Sequence, residues 1–123
     1  MDKFRIVVAG GRKFHDFERL TYELDSLLRN KSRTHEIVIV SGKARGADEL
    51  GERYARLRHY SIQSHPANWN MFGNSAGYRR NEEMALESDA TVAFWDGESR
   101  GTKHMIDITQ QHGNMLRIVD YTN

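Results

Sequence analysis

Cysteine is absent from this 123-residue chain, which excludes disulfides, thiolate nucleophiles and cysteine metal sites. Proline occurs once, at Pro66, so glycine and short polar side chains must make the turns. No apolar run approaches the roughly 20 residues of a bilayer span, and Met1-Asp2-Lys3-Phe4 runs into a strand-like segment rather than a signal peptide. A cytoplasmic protein without membrane association is expected. Net charge is scarce too: 18 basic residues against 17 acidic ones leave +1. That balance gives no global attraction to nucleic acid and argues against it as a partner. Hydrophobic residues make up 38%, enough for one domain over 1–123 with a modest core. A homodimer or homotetramer would supplement it.

What is present is alternation of strand and helix. Phe4 to Ala9 reads as a buried strand broken by Gly10-Gly11. Asp16 can cap a helix with Phe17, Leu20, Leu24, Leu27 and Leu28 on one face. Glu36 to Val40 is a second strand, followed by a helix with Ala47, Leu50, Tyr54 and Leu57 on a stripe beside Gly51 and Ala55. Tyr60 to His65 is a weaker edge strand ended by Pro66, and 67–75 is a loop. A helix over 76–88, a strand over 90–95, a helix from a Thr102 cap to His112 and a strand over 115–119 complete the chain. Gly113 suits the position just past the last helix. The pattern predicts an α/β fold, a mainly parallel five-stranded sheet in the order 3-2-1-4-5.

Three strand exits combine glycine with arginine: Gly10-Gly11-Arg12, Ser41-Gly42-Lys43-Ala44-Arg45-Gly46, and Gly97-Glu98-Ser99-Arg100-Gly101-Thr102. In that order all three lie at the C-terminal edge of the sheet, where open α/β sheets bind ligands. Neither G-x-G-x-x-G nor G-x-x-x-x-G-K-[ST] is present, which disfavours a dinucleotide oxidoreductase and a P-loop NTPase. Gly10, Gly11, Gly42, Gly46, Gly97 and Gly101 give backbone access. Arg12, Arg45 and Arg80 are candidates to hold phosphate, and Ser41, Ser99 and Thr102 to donate to it. Asp48 and Asp96 can accept from ribose hydroxyls, although Asp48 also suits a helix cap. Trp69, in a polar loop, is the better base-stacking candidate, and Trp95 reads as core. Catalytic and metal motifs are thin, with no H-E-x-x-H, and His65 and His104 are isolated. Neither cofactor nor metal is expected. Glu83 can serve as a general base or as part of a solvated helical turn.

Taken together, Gly10-Gly11-Arg12-x-Phe14, Ser41-Gly42-x-Ala44-Arg45-Gly46-Ala47-Asp48, Pro66-Ala67-x-Trp69, Ala76-Gly77-x-x-Arg80-Asn81-x-x-Met84 and Ala93-Phe94-Trp95-Asp96-Gly97-x-Ser99-x-Gly101-Thr102 resemble the YspA-like branch of the SLOG superfamily. The resemblance implies a Rossmann-like three-layer sandwich, found in bacteria and phages. It also implies a pocket, with Asn81 among its residues, for a nucleotide, ADP-ribose-like or cyclic nucleotide ligand, as sensor or scavenger. LONELY GUY-type phosphoribohydrolases in the superfamily cleave nucleotides with an arginine and a P-G-G-x-G-T-x-x-E motif. Arg80 and Gly97–Thr102 resemble parts of that machinery, but Met105 stands at the glutamate position, and Asn68 and Tyr78 also depart from the family pattern. Binding is therefore the leading expectation. The alternative is a nucleotide N-glycosidase using Arg80 with Glu83 or Asp96. The third is single-stranded DNA binding, since the DNA-processing protein DprA shares the superfamily.

Overall fold

The computed structural model describes residues 1–122. Its centre follows from a side-chain period of two. In β1 (Asp2–Gly10), Phe4, Ile6 and Val8 enter one apolar cluster, while Val7 and Ala9 enter another. β2 (His35–Ser41) divides in the same way, Ile37 and Ile39 against Val38 and Val40. Burial on both faces marks a parallel sheet covered by helices on both sides. β3 (Ser61–Ser64), β4 (Ala90–Trp95) and β5 (Met115–Asp120) complete the sheet in the order β3-β2-β1-β4-β5. Every neighbouring pair is parallel, so the order expected from the sequence is the one found, with β3 at an edge.

α1 (Phe17–Leu28) and α2 (Ala47–Arg58) cover the first face through Leu20, Leu24, Tyr54 and Ala55. A one-turn helix, α3 (Trp69–Phe72), and a 3-10 turn at Gly73–Ser75 occupy what the sequence reads as loop. Asn68 explains the turn, because its Oδ1 accepts from the Met71 N–H at 3.0 Å. α4 (Ala76–Leu86) and α5 (Arg100–Gln111) cover the second face through Met84, Ala85, Met105 and Ile108. No helix among the described residues is long and apolar enough to cross a membrane.

The caps show where local reasoning holds. Asp16 caps α1, its Oδ1 accepting from the Arg19 N–H at 3.0 Å. Thr102 does not cap α5. The helix begins two residues earlier, and Ser99 Oγ accepts from the Thr102 N–H. Asp48 does not cap α2 either, since Gly46 holds that position with φ +76°.

Gly51 sets the distance between α2 and the sheet. A Cβ there would stand 2.9 Å from Val8 Cβ, closer than side chains pack. Alanine gains about 1 kcal/mol of helix propensity over glycine, but overpacking against a β-branched core residue costs about 1–3 kcal/mol. Gly51→Ala is therefore expected to destabilise the fold by about 1 kcal/mol, and Gly51→Val by more. Chemical denaturation midpoints read the effect, and a midpoint raised by Gly51→Ala would contradict the packing argument.

Candidate functional site

β1 and β4 are neighbours, but the helices that follow them lie on opposite faces of the sheet. The two exit loops therefore part and leave a crevice at the switch point. A cleft of about 430 Å³ opens there. Gly10, Gly11, Arg12 and Lys13 form one wall, and Asp96, Ser99, Gly101 and Thr102 the other. Ala44 and Asp48 come from the β2 exit, and Arg80, Asn81 and Met84 from α4. Ala9 and Met105 form apolar floor, and Tyr121 closes one side. A second depression of about 280 Å³ adjoins the first across Arg12, Ala44 and Arg80. It adds Gly42, Lys43, Arg45, Pro66, Ala67 and Trp69.

Arg80 stands between the two. Its Nη1 donates to the Gly42 carbonyl at 2.6 Å and its Nε to Asn81 Oδ1 at 3.1 Å. Asn81 is fixed in turn, its Nδ2 donating to the Gly101 carbonyl at 3.3 Å and lying 3.1 Å from His104 Nδ1. Burial lowers the Arg80 pKa, the Asp48 carboxylate raises it, and the neighbouring Arg12 lowers it again. Two guanidiniums thus face one cavity, a repulsion that a bound anion would relieve. Arg12, Lys13, Arg45 and Arg80 form no salt bridge among the described residues.

The β2 exit departs from expectation. Two of its amides are not left for a ligand, because the buried Asp48 carboxylate takes them: Oδ2 accepts from the Ala44 N–H at 3.2 Å, and Gly42 contributes a second backbone hydrogen bond. At the α2 N-terminus the Ala47 N–H donates to the Gly11 carbonyl at 3.4 Å. The amides of Arg100 and Gly101, in the first turn of α5, have no backbone partner outside the helix among the described residues and offer the anion site that helix starts provide.

Burial pushes the Asp48 carboxyl up to about 6, against the backbone amide of Ala44 and the charge of Arg80. Because the folded value lies above the ordinary one, the folded state binds the proton more tightly than the unfolded chain. Stability is then highest below about pH 4, falls as pH rises to about 6, and stays lower beyond, by up to about 3 kcal/mol. Asp48→Asn is expected to flatten that fall and to raise stability at pH 7, as measured by denaturation at pH 4, 5, 6 and 7. An unchanged pH profile would contradict the account.

Other sequence candidates have different tasks. Ser41 is 1% exposed, and its hydroxyl donates to Glu52 Oε2 at 2.7 Å while accepting from the Lys43 N–H at 3.2 Å. Lys43 Nζ reaches Glu52 Oε1 at 2.8 Å. Ser41 thus clamps its loop and lines neither depression. Gly46 touches the first loop from behind, where a Cβ would strike Gly11 and Arg12 backbone. Gly97 faces outward, on the far side of its loop. Asp96 lines the cleft, but its Oδ1 accepts from the Glu98 and Ser99 N–H groups, both at 2.8 Å, and so shapes the turn. Glu83 does not line the cleft. The helical turn that points Arg80 and Met84 inward aims Glu83 at the α4 flank, where its carboxylate lies 3.8 Å from His65 Nδ1. It is no base for this site.

Lys13, Met84, Met105 and Tyr121 also line the cleft, although the sequence reading did not name them as ligand contacts. Met84 lies four residues after Arg80 on the same helical stripe, a signal the sequence does carry. Tyr121 follows β5 and so emerges at the same rim as the other exit loops. Its hydroxyl stands 2.6 Å from where a Gly11 Cβ would be. Among the described residues no group of three or more His, Asp or Glu side chains is placed to hold a metal ion.

Residues 4–72 match the profile of the YspA, cpYpsA-related SLOG family. The gene 61 protein of Mycobacterium phage D29 is 34% identical over 116 residues, covering 89% of this chain and 90% of the phage protein. DNA processing protein A from Streptococcus pneumoniae superposes with a TM-score of 0.73 at 15% identity, over 98% of this chain and 51% of that one. This chain thus spans about half of the pneumococcal protein. DprA from Helicobacter pylori gives a TM-score of 0.66 at 17% identity, over 98% and 67% of the two chains. TM1055 gives 0.63 at 18% identity, over 94% and 72%. At these identities the structural likeness carries the fold. The Helicobacter protein has a single-stranded DNA binding mode, which overturns the expectation that a balanced net charge disfavours nucleic acid. Net charge averages the whole surface, whereas a ligand meets the rim, where Arg12, Lys13, Arg45 and Arg80 gather. By a profile match over more than half of its length, the chain belongs to the YspA, cpYpsA-related SLOG family.

Proposed function

We propose that this chain binds a nucleotide or nucleotide-derived anion at the C-terminal rim of the sheet, as a sensor or scavenger. The observation that carries the reading is the pair Arg12 and Arg80, close enough for one to depress the pKa of the other, at the wall of a crevice at the switch point. Guanidiniums hold phosphate through parallel N–H donors. The free first-turn amides of α5 add a second anion-directed element.

Binding is favoured over hydrolysis by the carboxylates. Met105, fully buried, fills the place of the phosphoribohydrolase glutamate. Asp48 is committed to the β2-exit amides and Asp96 to its own turn. The test is thermal stabilisation by AMP or GMP, followed by chromatography of the nucleotide. The reading expects a raised melting temperature and intact nucleotide. Release of free base would support the N-glycosidase instead.

Single-stranded DNA is a second reading, favoured by one arrangement. Trp69 and Phe72 are exposed, Trp69 in one depression with Arg45 and Phe72 under the Arg79 guanidinium at 4.4 Å, and aromatic platforms edged by cations suit unpaired bases. Oligonucleotide binding that weakens steeply with salt would support it.

A further inference from the structure

We infer that His104 is a positioning residue of the anion site: through Asn81 it holds Arg80 and the first turn of α5 in place, and only as the neutral imidazole. The inference rests on the nucleotide-binding reading and specifies how that site is regulated. It follows from where the amide hydrogens go. Arg80 is a permanent donor, so the Asn81 amide atom 3.1 Å from its Nε is the oxygen. Nδ2 then faces the other way with two hydrogens. One goes to the Gly101 carbonyl at 3.3 Å, and the other to His104 Nδ1 at 3.1 Å. Asn81 is only 6% exposed, so solvent cannot replace a partner that is lost. Nδ1 has to accept, which places the proton of a neutral His104 on Nε2.

Protonation reverses that contact. An imidazolium carries a hydrogen on each nitrogen, so Nδ1–H would oppose Nδ2–H. The amide cannot turn over in response, because its nitrogen would then face the Arg80 Nε–H. A proton on His104 therefore displaces Asn81, and with it the support of Arg80 and of Gly101, both of which line the larger cleft. The ring sits among charges of both signs. From α4, Tyr78 packs edge-on against it with centroids 4.5 Å apart, and Glu82 adds a carboxylate. From α5, Asp107 acts on it while paired with Lys103 at 2.6 Å. Glu98 and Arg100 complete an exposed groove that His104 also lines, through which solvent protons reach the ring. Burial lowers the His104 pKa, and the Glu82 and Asp107 carboxylates oppose that shift. The imidazole is thus neutral at pH 7.5 and takes its proton as the pH falls.

The test has two readouts. Nitrogen-15 NMR of the free protein at pH 7.5, with His104→Asn to assign the signals, is expected to show Nδ1 bare and Nε2 protonated. A proton on Nδ1 would overturn the inference whatever binds. Calorimetric titration of AMP and GMP at pH 7.5 and 5.0 then compares wild type, His104→Asn and His104→Leu. Asparagine keeps an acceptor near the Nδ1 position and takes up no proton, whereas leucine offers no acceptor. At pH 7.5 leucine is expected to weaken binding about tenfold, the effect of a buried donor left unpaired, and asparagine to restore most of that loss. At pH 5.0 the wild type should fall about tenfold behind asparagine. Asp48 and the nucleotide phosphate titrate alike in all three proteins, so the comparison cancels them. Binding in which wild type and asparagine keep one ratio at both pH values, or in which leucine matches wild type at pH 7.5, would overturn the role of His104 while nucleotide binding stands. If the wild type binds neither nucleotide at either pH, the nucleotide reading falls, and the role of His104 at that site falls with it.

Discussion

Arg80→Ala is expected to weaken nucleotide binding roughly 100-fold, the equivalent of about 3 kcal/mol for removing a charge-assisted hydrogen bond to phosphate in a partly dry site. The same substitution should lower stability at pH 7, because Arg80 also pins the Gly42 carbonyl and opposes the buried Asp48 carboxylate. Without its cation, Asp48 is pushed further up, so the loss of stability with rising pH extends above pH 6. These two consequences separate in the double variant. Arg80→Ala combined with Asp48→Asn should recover much of the stability, since no unpaired carboxylate remains buried. It should recover none of the binding. Arg80→Lys keeps the charge but not the planar fork, and is expected to fall between wild type and alanine. Calorimetric titration and denaturation of the four proteins check all of this, and a double variant that binds like wild type would remove Arg80 from the site.

Gly46→Ala is expected to be the most destabilising single methyl group in the chain. Gly46 has φ +76° and ψ −122°, a region costing other residues about 1–3 kcal/mol. In addition, the new Cβ would meet backbone atoms of Gly11 and Arg12, which cannot swing aside as a side chain can. The loss should reach about 3 kcal/mol or more, and nucleotide affinity should fall with it, because the displaced segment carries Arg12. Gly97 separates the two causes. It has φ +83° but open space around the missing Cβ, so Gly97→Ala should cost only the backbone strain, about 1–2 kcal/mol. Equal denaturation midpoints for the two variants would show that contact between the loops contributes nothing.

The sheet was legible because its residues obey one rule at a time. Phe4 through Ala9 and Ile37 through Val40 are apolar on both faces, and only a helix-covered parallel sheet buries both. The β3-β2-β1-β4-β5 order followed from short alternating connections. Within the site, sequence pattern marked the turns but not the partners. Ser41, Asp48 and Asp96 stand in glycine-rich loops, where a hydroxyl or carboxylate looks like a ligand contact. Whether it serves the ligand or its own backbone depends on distances of a few ångströms that no spacing encodes. Here Ser41 found Glu52, Asp48 found Ala44, and Asp96 found Ser99. Glu83 failed for a simpler reason, since a 3.6-residue turn that points Arg80 inward carries Glu83 to the flank. Tyr121 required recognising that the fifth strand exit reaches the same rim. The strand order already brought Arg12, Arg45 and Arg80 to one rim, whereas net charge, which sums over the whole surface, argued against nucleic acid and left Lys13 unmarked.

The most direct measurement is a crystal structure of the chain with a nucleotide at a concentration that saturates its thermal shift. The expected result is phosphorus within hydrogen-bonding reach of both the Arg12 and Arg80 guanidiniums, where the two depressions share their lining. Phosphate bound at the opposite end of the sheet, or a cleft left empty at saturation, would contradict it.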